Sequence, residues 1–139
     1  MILASSLASP STLIRLSLHV LAACVWVGGQ IVLAGLVPTL RTLGDEAPRK
    51  VAQAFGRLSW PAYWLLIITG FWNYVAVHGS SQSSSWNAAF GIKMLMVVVA
   101  GLGAFLHTRA TTAASRGVFA GIGTLATLAA MVLGVLLAG

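Results

Sequence analysis

Between Leu13 and Arg41 the chain reads LIRLSLHVLAACVWVGGQIVLAGLVPTLR, with no charged side chain between Arg15 and Arg41. A helix rises 1.5 Å per residue, so this run can cross a hydrocarbon core of about 30 Å with residues to spare. In lipid every backbone polar group must be satisfied within the protein, which leaves helices or closed barrels as spanning structures. An uninterrupted apolar run, without two-residue alternation, selects the helix. Composition extends the argument to the whole chain. Hydrophobic residues make up 58% and charged residues 7%, where a soluble domain carries about a quarter charged. That leaves too little polar surface to coat a water-soluble particle. The 139 residues suit one domain. The reading is an all-α integral membrane protein, a single domain over residues 1–139. Four transmembrane helices, at about residues 11–40, 58–77, 87–110 and 116–137, are expected to form an antiparallel bundle.

The charges lie between these runs. Of eight basic residues, Arg41, Arg49, Lys50, Arg57, Arg109 and Arg116 fall in the first and third loops. The second loop, with GSSQSSS at its centre, has none. The positive-inside rule then puts both termini and the Ser-rich loop outside, extracytoplasmic, in a cell inner (plasma) membrane. A net charge of +6 spread in this way is topological, and no nucleic acid partner is expected. The segment from Arg41 to Arg57 carries both acids, Asp45 and Glu46. It is expected to turn at Gly44 and to lie partly in the interface before the second span. One cysteine, Cys24, excludes an internal disulfide and reads as an unprocessed membrane thiol.

Helical spacing gathers His19, Ala22, Ala23, Trp26, Gly29, Gln30 and Leu33 on one face of the first helix. Small residues admit a second backbone, and His and Gln in lipid require partners. In the third helix Lys93, Val97, Ala100, Ala104 and His107 make a seam at alternating steps of four and three. In the fourth, Ala114, Gly117, Gly121, Thr124 and Leu128 form a small-residue face, with Gly117 and Gly121 suited to close packing.

Depth limits any metal site. His19, His78 and Lys93 fall toward the outer side and His107 toward the inner, so His19 and His107 cannot share one ion. A His19/His78 pair with Met94 suits copper, because imidazole and thioether are soft enough for Cu(I). Histidine could instead ligate haem iron, with His19 or His107 as the axial residue and Lys93 and Asn73 nearby. The bland alternatives are a hydrogen-bonded interior His19, an interfacial His78 and His107, a snorkelling Lys93 and a packing Met94. No phosphate-binding glycine loop, nucleophile elbow or HExxH occurs. The two acids are adjacent and lie in a loop, so carboxylate-pair catalysis within a span is excluded; a non-enzyme is the favoured reading, with enzymatic activity left open.

The segment LHVLAACVWVGGQIVLAGLVPTLR resembles the opening helix of the copper resistance D (CopD) membrane domain. FGRLSWPAYWLLIITGFWNYV is similar to that family's second segment, and FGIKMLMVVVAGLGAFLHTRA to its third. Together they cover roughly residues 13–112. The resemblance implies a multi-helix inner-membrane domain concerned with copper uptake or tolerance. His19, Trp26, Gly28, Gly29, Arg41, Arg57, Asn73 and Lys93 stand at family-like positions. A weaker similarity to small haem-binding membrane protoporphyrinogen oxidases implies haem b as the alternative cofactor. Besides the lipid bilayer, the expected partners are a copper-binding protein or a larger membrane complex, in which the chain would be an accessory subunit.

Overall fold

A computed structural model describes residues 7–139. Among the described residues all regular structure is helical. The chain forms two compact units, one ending at Val77 and one running from His78 to Gly139.

In the first unit, α1 (Pro10–Ala23) starts at Ser9, whose hydroxyl accepts from the Thr12 amide, with Pro10 at the first helical position where its missing N–H costs nothing. A wide π turn, Cys24–Gly28, joins it to α2 (Gly29–Thr42). The continuous rod Pro10–Thr42 is 33 residues, about 50 Å long. The π turn interrupts the regular helix expected across residues 11–40 and sits where the Trp26 indole turns inward. Pro38 lies inside α2. Gly44, at φ +125°, makes the turn to α3 (Ala47–Ala76), in a conformation that costs any other residue strain.

The segment expected to turn at Gly44 and then lie partly in the interface forms the opening of α3, continuous with the helix expected from Leu58. Arg49, Lys50, Ala52, Gln53 and Ala54 are good helix formers, and the single glycine before Leu58, Gly56, is carried within α3. Pro61 stands inside α3 and leaves one carbonyl unpaired, as spanning helices tolerate. The rod and α3 pack on each other. At Gly29 an added Cβ would run into the Phe55 ring.

In the second unit a short 3₁₀ turn, Gly79–Ser81, follows His78, which has a left-handed backbone (φ 52°). Then come α4 (Ser84–Arg109), capped by Ser83, and α5 (Ala113–Ala138), capped by Thr112. They are antiparallel neighbours. Trp86 Nε1 at the start of α4 donates to the Leu137 carbonyl at the end of α5 (3.3 Å). The backbones meet at Gly103 and Gly123, where a Cβ on Gly103 would lie 2.7 Å from the Gly123 Cα. The Gly117/Gly121 pair expected to pack closely does not do so; a Cβ at either would have nothing within 4 Å. A GxxxG spacing marks a face that can pack closely, and the hand and register of the crossing choose which glycines do.

Three helical segments are long and apolar enough to cross a membrane: Pro10–Thr42, Ser84–Arg109 and Ala113–Ala138. α3 has the length, but Trp60, Pro61, Tyr63, Trp64, Trp72, Asn73 and Tyr74 keep it outside that group. Leu13, Ile14, Leu16, Val20, Leu21, Ile31, Val32 and Leu36 are exposed along one side of the rod. Such a surface suits lipid and is costly in water.

Gly103→Val should overpack the α4/α5 contact and cost about 1–3 kcal/mol, whereas Gly117→Val should be close to neutral. Thermal unfolding of the two variants in detergent checks this order.

Candidate functional site: a polar seam between α1 and α3

Residues at steps of four, three, four and four turn the buried face of the first rod toward α3: Arg15, His19, Ala22, Trp26 and Gln30. Arg15 is 7% exposed, Ala22 2% and Trp26 4%. From α3 the facing residues are Asn73, Thr69, Tyr63 and Trp60.

Three layers follow. At the end nearest Pro10, the Arg15 guanidinium donates to Asn73 Oδ1. One turn along, His19 Nδ1 lies 2.7 Å from Thr69 Oγ1, and Thr69 is 1% exposed. The Thr69 hydroxyl also donates to the Leu65 carbonyl at 2.6 Å. A hydroxyl has one hydrogen. With that hydrogen spent on Leu65, Thr69 accepts from His19, so the proton sits on Nδ1. In the neutral imidazole the Nε2 lone pair is then the donor atom for a metal. A Cβ on Gly70 would lie 3.7 Å from His19 Cε1, so the imidazole edge rests on a stretch of α3 with no side chain.

Beyond His19 the π turn brings Trp26 into an aromatic cluster. Its ring centroid lies 4.7 Å from that of Tyr63 and 5.7 Å from that of Trp60. Tyr63 continues the cluster to Trp64, at 5.7 Å. One turn further, Gln30 Nε2 is buried with no hydrogen-bond partner among the described residues.

The other residues singled out in the sequence belong to the second unit. Lys93 reaches across from α4 to the notch at Gly134 on α5, where a Cβ would stand 3.1 Å from Nζ. His107 Nδ1 donates to the Arg116 carbonyl at 2.9 Å and ties the end of α4 to the start of α5. His78 is exposed in the turn and Met94 half-buried on α4. Met94 directly follows Lys93, so the helical period puts it on a different face. Cys24 is exposed. Among the described residues no three His, Cys, Asp or Glu side chains cluster as a metal centre would need.

Sequence reasoning placed His19, Trp26, Gly29, Gln30 and Asn73 in the candidate set and left out Arg15 and Thr69. The signal for Arg15 was present. It stands four residues before His19, on the same helical stripe. Thr69 likewise stands four residues before Asn73 on one stripe of α3, but a threonine in an apolar helix ordinarily bonds its own backbone. A comparison with known families, characterised proteins and solved structures finds no match to this chain.

Thr69→Val keeps the shape of the side chain but strands the His19 Nδ1–H. It should cost about 1–3 kcal/mol and free the imidazole tautomer, which ¹⁵N shifts of labelled histidine would register. Thr69→Ser should restore both.

Proposed function

We propose that the chain is a multi-pass membrane protein of the copper resistance D type, handling copper as cargo in the inner membrane, with His19 as the residue that takes the ion. The observation that carries this reading is the orientation of His19. Its Nδ1–H is held by Thr69, and metal-ligating histidines are ordinarily fixed in this way through the second ring nitrogen. The motif resemblance of the first three apolar segments supports the same assignment. In the second unit, His78 and Met94 are the further groups with ligand chemistry suited to Cu(I).

In this reading the helices make four antiparallel spans, with both termini outside and the Arg- and Lys-bearing first and third loops in the cytoplasm. α3 joins the three more apolar segments as the fourth span, its aromatic residues serving the membrane interfaces and the Trp26 cluster. In a Cys24→Ser background, Ser80→Cys should react with an impermeant thiol reagent added to intact cells. Thr112→Cys should react only after the membrane is opened.

A second reading, a haem b redox protein, is favoured by one specific feature. Arg15 stands one turn from His19, and a fixed guanidinium disfavours a bare metal cation while it attracts the propionates of a porphyrin. The residues present fit such a group in part: an oriented imidazole for iron and a buried cation for a carboxylate. When bound, haem would supply one-electron chemistry. The chain's own part would be to hold the ring of His19, with Thr69 fixing its tautomer, and to exclude water with the Trp26 cluster.

Purified protein distinguishes the two. Copper retained without a Soret band and lost in His19→Ala is the result expected of the copper reading. A Soret band abolished by His19→Ala would replace copper with haem. Neither signal, in protein isolated from copper-supplemented cells, would sink both.

A further inference from the structure

We infer that Arg15 and Asn73 form a binding site for a phosphate-bearing anion, and that its occupant is the headgroup of an anionic phospholipid.

The guanidinium is a cation, and Arg15 is 7% exposed. Its hydrogen-bond partner among the described residues is Asn73 Oδ1, an uncharged amide oxygen. A buried charge without a counter-charge is costly. Neither acidic side chain of the sequence supplies one. Asp45 and Glu46 lie past the far end of the rod, about 40 Å from Arg15 by helical rise, and Glu46 already faces Arg49 at 3.8 Å.

The local chemistry says what kind of anion. Asn73 spends its carbonyl oxygen on the guanidinium, so its amide nitrogen adds hydrogen-bond donors beside those of Arg15. A corner rich in donors suits an oxyanion, and a planar guanidinium fork matches phosphate. Arg15 lies about one and a half turns from the start of α1 at Pro10, and Asn73 one turn from the end of α3 at Ala76. Both therefore stand near the same end of the helix pair. The neighbouring side chains Leu13, Ile14 and Leu16 are exposed and apolar, a surface for the acyl chains of the same lipid. This inference stands alongside the copper reading and competes with the haem reading, in which Arg15 would face a propionate instead.

The test is thermal unfolding of delipidated full-length protein in a neutral detergent. Phosphatidylglycerol, phosphatidylcholine or inorganic phosphate is added separately. Phosphatidylglycerol should raise the midpoint by about 4–8 °C above phosphatidylcholine. The shift should be lost in Arg15→Gln and kept in Lys50→Gln, an exposed loop-side control. Arg15→Gln could fail to fold, so Asn73→Asp is the second variant. It gives the guanidinium a carboxylate of its own and should abolish the lipid response while raising the midpoint without lipid. A shift produced by inorganic phosphate alone would keep the anion site and assign it to a soluble phosphate. An equal phosphatidylglycerol response in wild type, Arg15→Gln and Asn73→Asp, or none in wild type, would overturn the proposal. So would a haem Soret band that moves in Arg15→Gln while lipid has no effect.

Discussion

The pairing of polar side chains across α1 and α3 is the constraint on which the first unit depends. In a hydrocarbon setting there is no hydrophobic drive to bring one apolar helix to another; packing and interhelical hydrogen bonds do that work. Arg15 on Asn73 and His19 on Thr69 are bonds of this kind. Each side chain would be costly alone in lipid, so the pairing sets which faces of the two helices meet. Thr69 is bound twice, to His19 and to its own helix at Leu65, and so holds the imidazole in one orientation.

The two units meet the packing problem by different means. The first uses large rings: Trp26 fills the space beside Trp60 and Tyr63, and the π turn widens the helix where the indole enters. The second uses the absence of side chains, with Gly103 against Gly123 bringing the α4 and α5 backbones together. Its polar groups act at the ends, where Trp86 and His107 bond to carbonyls of α5. A close glycine contact maximises dispersion between backbones but leaves little room for a ligand. A seam of rings and polar groups leaves polar atoms to serve one, and Arg15, His19 and Gln30 lie along it.

The same seam gives the functional readings their order. An oriented imidazole supports the proposed metal or haem ligand, and a buried guanidinium supports the proposed anion site. The two stand one turn apart on one helix, so a cation carried to His19 meets the field of Arg15 unless an anion neutralises it. The proposed lipid phosphate would reduce that repulsion and so make copper chemistry at His19 compatible with its neighbour.

Sequence alone determined the class of the protein. The length of the apolar runs, the scarcity of charge and the position of the loops settle an all-helical chain with segments suited to a membrane, because backbone hydrogen bonding in lipid admits few alternatives. The inward face of the first helix was legible too, since His19, Trp26 and Gln30 repeat at the helical period. The seam of α4 could be read in the same way, with Lys93, Ala104 and His107 all turned to α5. Tertiary structure alone decided the partners. Thr69 and Arg15 acquire their roles only when α3 lies beside α1 in one register. Gly103 and Gly123, rather than Gly117 and Gly121, become the contact only at one crossing of α4 and α5. The helical period states which residues share a face, whereas the partner opposite each depends on how far one helix slides along the other. That slide is decided by the sum of many contacts and has no signature in any short stretch of sequence.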